Sequence, residues 1–472
     1  MTMQEEHKQL KLFFEPRAVA FVGISAKTGA LAFNALENLL ACGYEGRIYP
    51  VNPNADDILG LKAYPDVKSL PGPVDLAVIS TRRSLVPEIV KECVEKGIRA
   101  IIVIGQGFSD AGDEEGRQLE EKVVRIARAG GARILGPNTI GVTNPFFNFT
   151  TSFLRQLRIE KLPIALICQS GIFFGGFCDG LRLLGKGIDI GNASDVGVAD
   201  CLEYFEDDED VRLIVVHIEG VRRSGEGRRI LEVAGRVSKR KPIIVFKTGR
   251  GRQAASAIRS HTASLVGDDD VWDAAFEQCG VLRTRDLDEL HDLVRAFCNL
   301  LPTKVENVAI VTLSGGMGVM ALDACDEYGL RAATLSAETL QKLREMLPAW
   351  LEVKNPVDIF PAIMSAEEKG EVLMRSVEAV LSDENVDALL LVAGTWLEVV
   401  APPLSDVLKA AGGFGKPVIW CPYLDWAFNV SVEDVEQKLK EKGVENVAAL
   451  PTPERAVRAL AALQKYVEFR KN

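Results

Sequence analysis

The stretch RSHTASLVG, residues 259–267, contains one of only four histidines in the 472-residue chain. His261 stands among small uncharged residues, on a connection without a clear helix that runs from Thr248 to about Asp268. Connections of this length in a compact domain are typically functional or mobile. An imidazole can act as a nucleophile, and small neighbours let the backbone approach a partner or move. The stretch makes His261 a candidate nucleophile, with a tight turn around a structural histidine as the alternative.

Three segments could complete a site around His261, because each follows a short apolar strand. They are Ser170-Gly171, Glu219-Gly220 and Lys247-Thr248-Gly249. The carboxyl ends of neighbouring parallel strands meet at one edge of a sheet, so we expect these segments to face one pocket. Glu219 could hydrogen-bond the imidazole and fix its tautomer, and a helix starting at Ser170-Gly171 would offer free N–H groups to a phosphoryl group. A solvated carboxylate and an ordinary serine N-cap are the alternatives.

Short apolar strands alternate with amphipathic helices along the whole chain. In the first part AVAFVGI, GRIYPVN, LAVIST, AIIVIG and ARILG alternate with helical segments such as VPEIVKECVEKG. This alternation predicts an α/β protein built from βαβ units with parallel sheets. A second set starts at LPIALICQSG and ends in the helix DLDELHDLVRAFCNLL, and a third set follows the link LPTKVEN. We predict three Rossmann-like or flavodoxin-like domains in series, at residues 8–148, 155–300 and 305–466.

Composition excludes several classes of protein. The net charge of -11 leaves no extended basic surface for nucleic acid or anionic lipid. Nine cysteines are scattered without CxxC pairs or metal-ligand spacing, which is typical of reduced thiols in a cytosol and predicts no metal site. The first residues, MTMQEEHKQL, are too acidic and polar for a signal peptide, and no stretch has the pattern of a membrane span. We therefore expect a cytoplasmic protein that binds neither nucleic acid nor membrane.

The first strand-turn-helix unit, AVAFVGISAKTGALAFNALENLL, suits an anionic group held by backbone N–H groups. A dinucleotide site would require GxGxxG and an acidic residue after the second strand. The chain has GISAKTG instead, and Asn52-Pro53 stands where the acidic residue should be. These differences disfavour NAD and leave open another pyrophosphate-bearing ligand. Lys27 could neutralise its charge, or could be a solvated loop residue.

Several motifs, taken in order, resemble one enzyme superfamily. VGISAKTG, the NP of VNPN, DLAVIST, the GF of GQGFSDAG and ILGPNTIG resemble the CoA-binding domain of the succinyl-CoA synthetase superfamily. CQSGIFFGG, IGNASDVGVADCLEYFEDDEDVRLIVVHIEG and SHTASLVG are similar to its ADP-forming acetyl-CoA synthetase branch. VTLSGGMGVMALDACDEYGL and NPVDI resemble the third domain of that branch's α subunit. The resemblance covers nearly the whole chain.

The resemblance implies the site residues and the reaction. CoA, a substrate, would bind at Gly23, Ser25, Lys27, Asn52, Pro53, Ser80, Thr81, Gly105 and Gln106. His261 would be phosphorylated, with Glu219 orienting it and Ser170 and Gly171 holding the phosphoryl group. Acyl-CoA, phosphate and ADP would give the free acid, CoA and ATP, reversibly, through an acyl phosphate and a phosphohistidine. Cys168 and Ile172-Phe173-Phe174 depart from the smaller residues expected around QSG, which leaves the acyl group open.

The nucleotide site is not recognisable in this chain. No segment has the P-loop form GxxxxGK[ST] or resembles an ATP-grasp domain, and LSGGMGVMALD has no following lysine and favours a tight strand-to-helix turn or a subunit contact. The resemblance implies a separate ATP-grasp β subunit that holds ADP or ATP with Mg, in an α2β2 assembly. Two rivals are a CoA-binding regulatory or scaffold protein without turnover and an NAD-dependent dehydrogenase.

Overall fold

Strands that alternate with helices form parallel-dominated sheets, as the sequence predicts, which confirms the α/β class. The structure is a computed structural model that describes residues 3–29, 31–154, 161–175, 185–251, 253–254, 267–423 and 430–471. Packing divides the chain into two compact units, Met1–Arg285 and Asp286–Asn472. None of the described helices is long and apolar enough to cross a membrane.

The first sheet contains five parallel strands in the order β2-β1-β5-β6-β7. Alternate residues of β1 face opposite sides: Val19 and Phe21 enter one apolar core, and Ala18 and Ala20 enter another. Burial on both faces explains why these strands are continuous apolar runs in the sequence. The strands are β1 Ala18–Val22, β2 Arg47–Val51, β5 Leu76–Ile79, β6 Ala100–Val103 and β7 Arg133–Leu135, with a small hairpin of β3 Asp57–Ile58 and β4 Leu61–Lys62. The helices of this region are α1 Met3–Phe14, α2 Ala35–Ala41, α3 Val86–Lys96 and α4 Glu114–Ala129.

The second sheet contains seven strands in the order β14-β13-β12-β10-β11-β8-β9. Its pairs are parallel except that β8 runs antiparallel to both β11 and β9. The strands are β8 Gly141–Asn144, β9 Phe149–Thr150, β10 Ile164–Cys168, β11 Lys186–Asp189, β12 Leu213–Ile218, β13 Ile243–Lys247 and β14 Leu282–Thr284. The described helices are α5 Gly171–Gly175, α6 Val198–Glu206, α7 Glu226–Ser238 and α8 Asp269–Gln278.

The first two sheets are joined close to the predicted domain boundary at residues 148–155. Strand β8 lies inside the predicted first domain, 8–148, yet it pairs with β11 of the second sheet. The buried carboxylate of Asp189 holds this junction, because it accepts a hydrogen bond from the backbone N of Ile140 at 2.8 Å. Phe14 of α1 also stacks on Tyr204 of α6, with ring centroids 5.0 Å apart. The two sheets therefore share one core within a single compact unit.

The third sheet has the parallel order β16-β15-β18-β19-β20, and β17 also pairs with β15. Its strands are β15 Asn307–Thr312, β16 Arg331–Ala332, β17 Val357–Asp358, β18 Ala388–Gly394, β19 Val418–Tyr423 and β20 Val447–Ala449. The helices of this unit are α9 Leu287–Asn299, α10 Gly315–Tyr328, α11 Ala337–Arg344, α12 Phe360–Ser365, α13 Lys369–Leu381, α14 Leu404–Gly412, α15 Val432–Glu441 and α16 Pro453–Lys471. LSGGMGVMALD forms a strand-to-helix turn, one of its two predicted roles, with Ser314 as the N-cap of α10.

Helix α9, with which the predicted second domain ends at residue 300, packs within the compact unit of the third sheet. Its buried Asp292 accepts hydrogen bonds from Arg455 Nε at 2.6 Å and Arg455 Nη2 at 2.7 Å, on helix α16. An ion pair across more than 160 residues fixes the helix there, and the local sequence does not contain that information.

Candidate functional site

The carboxyl edge of the first sheet brings together residues from three neighbouring strands. Gly23 follows β1 with φ of +83°, and a Cβ at this position would lie 2.5 Å from Thr81 Cγ2 and 3.0 Å from the carbonyl O of Ser80. A Cβ on Gly105, after β6, would lie 3.1 Å from the carbonyl O of Thr81. Only glycine fits at Gly23, because both the backbone angle and the space exclude a side chain.

Asn34 closes the loop that follows β1. Its side chain caps α2 by accepting from the backbone N of Leu36, and it donates to the carbonyl oxygens of Ser25 and Lys27, both at 2.8 Å. Asn52, after β2, donates from its amide Nδ2 to the carbonyl O of Ile24 at 3.0 Å. The loop is therefore held through its backbone, which leaves the Lys27 side chain exposed.

The remaining predicted CoA-binding residues lie along the same edge. Ser25, Pro53, Ser80 and Gln106 are exposed, whereas Asn52, Thr81 and Gly105 are half-buried. A cavity of about 160 Å³ opens beside Ser80. Its lining is otherwise apolar and consists of Phe21, Val22, Ile24, Phe33, Ala35, Val78, Ile104 and Phe153. The edge thus combines open backbone and small polar groups with an apolar recess, which suits a long ligand with both phosphate and apolar parts.

At the carboxyl edge of the second sheet, two side chains hold the backbone of Glu219-Gly220. Gln169 Oε1 accepts from the backbone N of Glu219 at 2.5 Å and from that of Gly220 at 3.2 Å, and Gln169 Nε2 donates to Gly220 O at 3.1 Å. Lys247 Nζ donates to the carbonyl O of Glu219 at 2.8 Å. The structure therefore joins the ends of β10, β12 and β13, as the strand-end rule predicted.

Asp189 lies buried beneath the start of α5. A Cβ on Gly171 would lie 2.3 Å from Ile140 Cδ1 and 3.6 Å from Asp189 Oδ2, so the helix start packs directly on this pair. Burial raises the pKa of the Asp189 carboxyl to about 6, although hydrogen bonds from the backbone N of Ile140 and of Gly191 oppose the shift. A carboxylate that titrates near neutral pH thus lies under the segment proposed to hold a phosphoryl group.

His217 is a second buried group near this edge. Its ring stacks on Phe173 of α5 with centroids 3.8 Å apart, and its Nε2 lies 3.1 Å from Thr248 Oγ1. Burial, followed by the charge of Lys247, lowers the pKa of His217 to about 3. The imidazole is therefore neutral at physiological pH and links α5 to the end of β13.

A buried polar network connects the two edges. Arg222, three residues after Glu219, donates from Nη2 to Ser109 Oγ at 2.7 Å and to Glu120 Oε1 at 3.2 Å. Asn192 donates to Glu120 Oε2 at 2.8 Å and to Asp110 Oδ1 at 2.9 Å. Since Ser109 and Asp110 follow the predicted CoA loop at Gly105-Gln106, the network joins that loop to the segment that carries Glu219.

His261 and its small neighbours lie outside the described residues. The structure places Ser170, Gly171 and Glu219 at the joined strand ends. Thr248, at the end of β13, and Gly267, before α8, lie on the two sides of the His261 connection. Among the residues that the structure describes, no group of three or more His, Cys, Asp or Glu side chains could hold a metal ion.

Family models match the three parts of the chain in order. The model described as a CoA binding domain matches residues 17–145, a succinyl-CoA ligase like flavodoxin domain matches 161–297, and a ligase-CoA domain matches 308–470. The α subunit of acetate–CoA ligase [ADP-forming] II from Pyrococcus furiosus is 36% identical over 474 residues, which is 98% of each chain. The chain belongs to the family of ADP-forming acetate–CoA ligase α subunits.

Other members of the family differ in length. Acetate–CoA ligase [ADP-forming] II from Archaeoglobus fulgidus is 38% identical over 87% of this chain, but this chain spans only 61% of that relative. The solved acetyl-coenzyme A synthetase 1 of Ca. Korarchaeum cryptofilum, in complex with phosphate and ADP, has a TM-score of 0.86 at 32% identity, covering 98% of this chain and 97% of its own. All three relatives are named as ligases or synthetases, so the regulatory and dehydrogenase alternatives have no support among them.

The motifs of the ligase family pointed to strand ends but missed the residues that hold them. Asn34, Gln169, Arg222 and Lys247 were not singled out for these roles, although Gln169 stands within the QSG motif and Lys247 within a strand-end segment. A charged residue that ends an otherwise apolar strand, such as Lys247, was the signal available in the sequence.

Proposed function

We propose that the chain is the α subunit of an NDP-forming acyl-CoA synthetase, which converts acyl-CoA, phosphate and ADP to the carboxylic acid, CoA and ATP. The observation that carries the proposal is the polar network of Arg222 with Ser109 and Glu120, which connects the carboxyl edges of the first two sheets. One edge contains Gly23, where no side chain fits, and the other holds the backbone of Glu219 between Gln169 and Lys247. Membership of the ADP-forming ligase family supports the same reaction.

The first two steps would take place on this chain. An oxygen of inorganic phosphate attacks the thioester carbonyl, the C–S bond breaks, and the CoA thiolate leaves and takes up a proton. A nitrogen of His261 then attacks the phosphorus of the acyl phosphate, the P–O bond to the acyl group breaks, and the carboxylate leaves. A covalent intermediate divides a three-substrate transfer into separate steps, so that the acyl and nucleotide sites can lie apart.

Each site residue has a distinct part in this scheme. Glu219 accepts a hydrogen bond from the imidazole and stabilises its positive charge. Ser170 and the backbone at Gly171 hold the phosphoryl group. CoA occupies the loops of the first sheet, where Gly23, Ser25, Lys27, Asn52, Pro53, Ser80, Thr81, Gly105 and Gln106 lie.

The last step would need a partner. The phosphoryl group passes from His261 to an oxygen of ADP, which we assign, together with Mg, to a separate ATP-grasp β subunit in a cytoplasmic α2β2 assembly. The subunit name of the Pyrococcus relative supports a partner, and the greater length of the Archaeoglobus relative is consistent with a fused one.

Phosphoryl labelling tests the proposal. The full chain is incubated with labelled inorganic phosphate and, in turn, acetyl-, isobutyryl- and phenylacetyl-CoA, first alone and then with an ATP-grasp subunit. We expect an acid-labile, base-stable label on His261, followed by ATP formation only when the partner and ADP are added. An acid-stable label on a serine, or ATP synthesis by a preparation free of a second polypeptide, would contradict the proposal.

A further inference from the structure

Lys247 is a buried lysine at the proposed chemical site for which the scheme above gives no role. It ends β13 and is only 1% exposed. Its Nζ donates to the carbonyl O of Glu219 at 2.8 Å and to the carbonyl O of Thr248 at 2.5 Å. One ammonium group thus binds the backbone of the proposed orienting carboxylate and the first residue of the His261 connection.

The same ammonium group also contacts the helix that follows that connection. Lys247 Nζ lies 5.6 Å from the ring centroid of Trp272 in α8, a cation–π contact. The indole of Trp272 lies against Gly267, where a Cβ would be only 2.9 Å from Nε1. Lys247 is therefore joined to Thr248 directly and to Gly267 through Trp272.

A charged lysine in this position is costly, which argues against a simple packing role. Burial lowers the pKa of Lys247 to about 8; Asp269 and Glu219 oppose the shift, and Arg283 adds to it. His217, on β12, carries no charge at neutral pH. A methionine would fill a similar volume without the cost of desolvating a charge, so the contacts of the ammonium group, and not its volume, distinguish a lysine at this position.

We propose that Lys247 is a positioning residue for phosphoryl transfer to His261, because it holds the backbone of Glu219 and contacts Thr248 and Trp272, which lie on the two sides of the His261 connection. The inference rests on the proposed function. The proposed role predicts that a substitution of Lys247 slows the phosphorylation of His261 more than it weakens CoA binding, since CoA is proposed to bind at the edge of the first sheet. It also predicts that the loss of rate exceeds the loss expected from any fall in stability.

Two substitutions and a matched control test this role in the full chain. Lys247→Met removes the donors and the charge, and Lys247→Arg keeps both. The control is Lys241→Met at the opposite end of β13, where Lys241 Nζ also donates to two carbonyl oxygens, those of Phe205 and Asp208, each at 2.6 Å. With labelled phosphate and acetyl-CoA, we expect Lys247→Met to slow labelling by about 10- to 100-fold, the cost typical of a small misplacement of reacting groups. Lys247→Arg should retain more labelling, and Lys241→Met should be close to wild type.

The pH dependence gives a second measurement. The ammonium group has three N–H donors and a charge, and the neutral amine has weaker donors and no charge. The ratio of the wild-type rate to that of Lys247→Met should therefore fall as pH rises from 7 to 9.5, through the lysine pKa of about 8. The ratio of wild type to Lys247→Arg should fall in the same way, which keeps the test valid if the Met variant does not fold.

The possible failures can be told apart. No label on wild-type His261 with any acyl-CoA contradicts the proposed function, and the role of Lys247 falls with it. A labelled wild type with an equally labelled Lys247→Met variant contradicts the role of Lys247 alone. Equal losses in Lys247→Met and Lys241→Met, accompanied by equal falls in melting temperature, would show a purely structural lysine.

Discussion

The carboxyl edges of the first and second sheets have the same strand-end geometry but are built from different chemical groups. The first edge is formed from backbone and exposed side chains. Gly23 and Gly105 have no side chains that would cover the backbone, and Asn34 donates hydrogen bonds to the carbonyl groups of Ser25 and Lys27 in the loop after β1. The second edge is formed around buried polar groups, including Gln169, Asp189, His217 and Lys247. In this second group, burial shifts the pKa of Asp189 upward and those of His217 and Lys247 downward.

This difference matches a division between binding and chemistry. A backbone surface with positive helix termini can hold phosphates without fine control of protonation. A site that transfers a phosphoryl group needs side chains held in fixed positions, and groups with perturbed pKa values concentrate at such sites. Variants of the first edge should therefore change CoA affinity, and variants of the second edge should change the rate of labelling.

The largest effect is expected at His261. His261→Asn should abolish phosphoryl labelling, because the amide side chain has no nucleophilic nitrogen to accept the group. CoA binding measured by calorimetry should stay within twofold of wild type, about 0.4 kcal/mol. His291→Asn, on α9 of the other unit, is the control and should label normally. A label that persists at the same position of the digest in His261→Asn would refute the carrier role.

Glu219→Gln should have the next largest effect. The amide can still hydrogen-bond the imidazole but carries no charge to stabilise it, so we expect labelling to slow by about 10- to 100-fold, the value of a hydrogen bond to a charged group. Glu232→Gln, an exposed glutamate on α7, is the control. Rapid-quench labelling would measure both, and equal rates in the two variants would remove Glu219 from the site.

Gly23→Ala tests the first edge. The added Cβ would meet Thr81 Cγ2 at 2.5 Å in a residue whose φ is +83°. We expect the CoA dissociation constant to rise about tenfold, or about 1.4 kcal/mol, because the clash displaces the loop backbone proposed to bind the ligand. Gly43→Ala is the control, because Gly43 has a similar φ of +75° but no atom within 4 Å of the new Cβ. It therefore introduces backbone strain without a clash that displaces the loop. At saturating acyl-CoA, the labelling rate of Gly23→Ala should return to that of wild type. A loss of rate that excess acyl-CoA does not restore would contradict the assignment of binding to the first edge and chemistry to the second.

The smallest effect is expected at Lys27, whose side chain is exposed. Lys27→Ala should weaken CoA binding by about two- to fivefold, the usual scale of an exposed ion pair. The loss should shrink as salt is raised, because ions screen exposed charges. Lys122→Ala, an exposed lysine on α4, should leave affinity unchanged. An affinity that does not change in Lys27→Ala at low salt would mean that Lys27 does not contact the ligand phosphates.

The elements of the fold could be predicted from the sequence because their signals are local. Apolar runs such as those of β1 and β12 are separated by amphipathic helices. This alternation of apolar strands and helices predicts parallel sheets with both faces covered. The strand-end rule then placed Ser170, Glu219 and Lys247 at one edge, and the structure joins those ends. The binding roles of Gly23 and its neighbours stay predictions, although the space around Gly23 explains why a glycine is required.

The tertiary structure alone decided which distant groups meet. The pairing of β8 with β11, the ion pairs of Asp292 with Arg455, and the contact of Lys247 with the Glu219 carbonyl each join residues far apart in the chain. Periodicity records which face of an element is buried, but it does not record which partner covers that face. That choice depends on packing and on the need of every buried charge for a partner, which are satisfied only when the whole unit has folded.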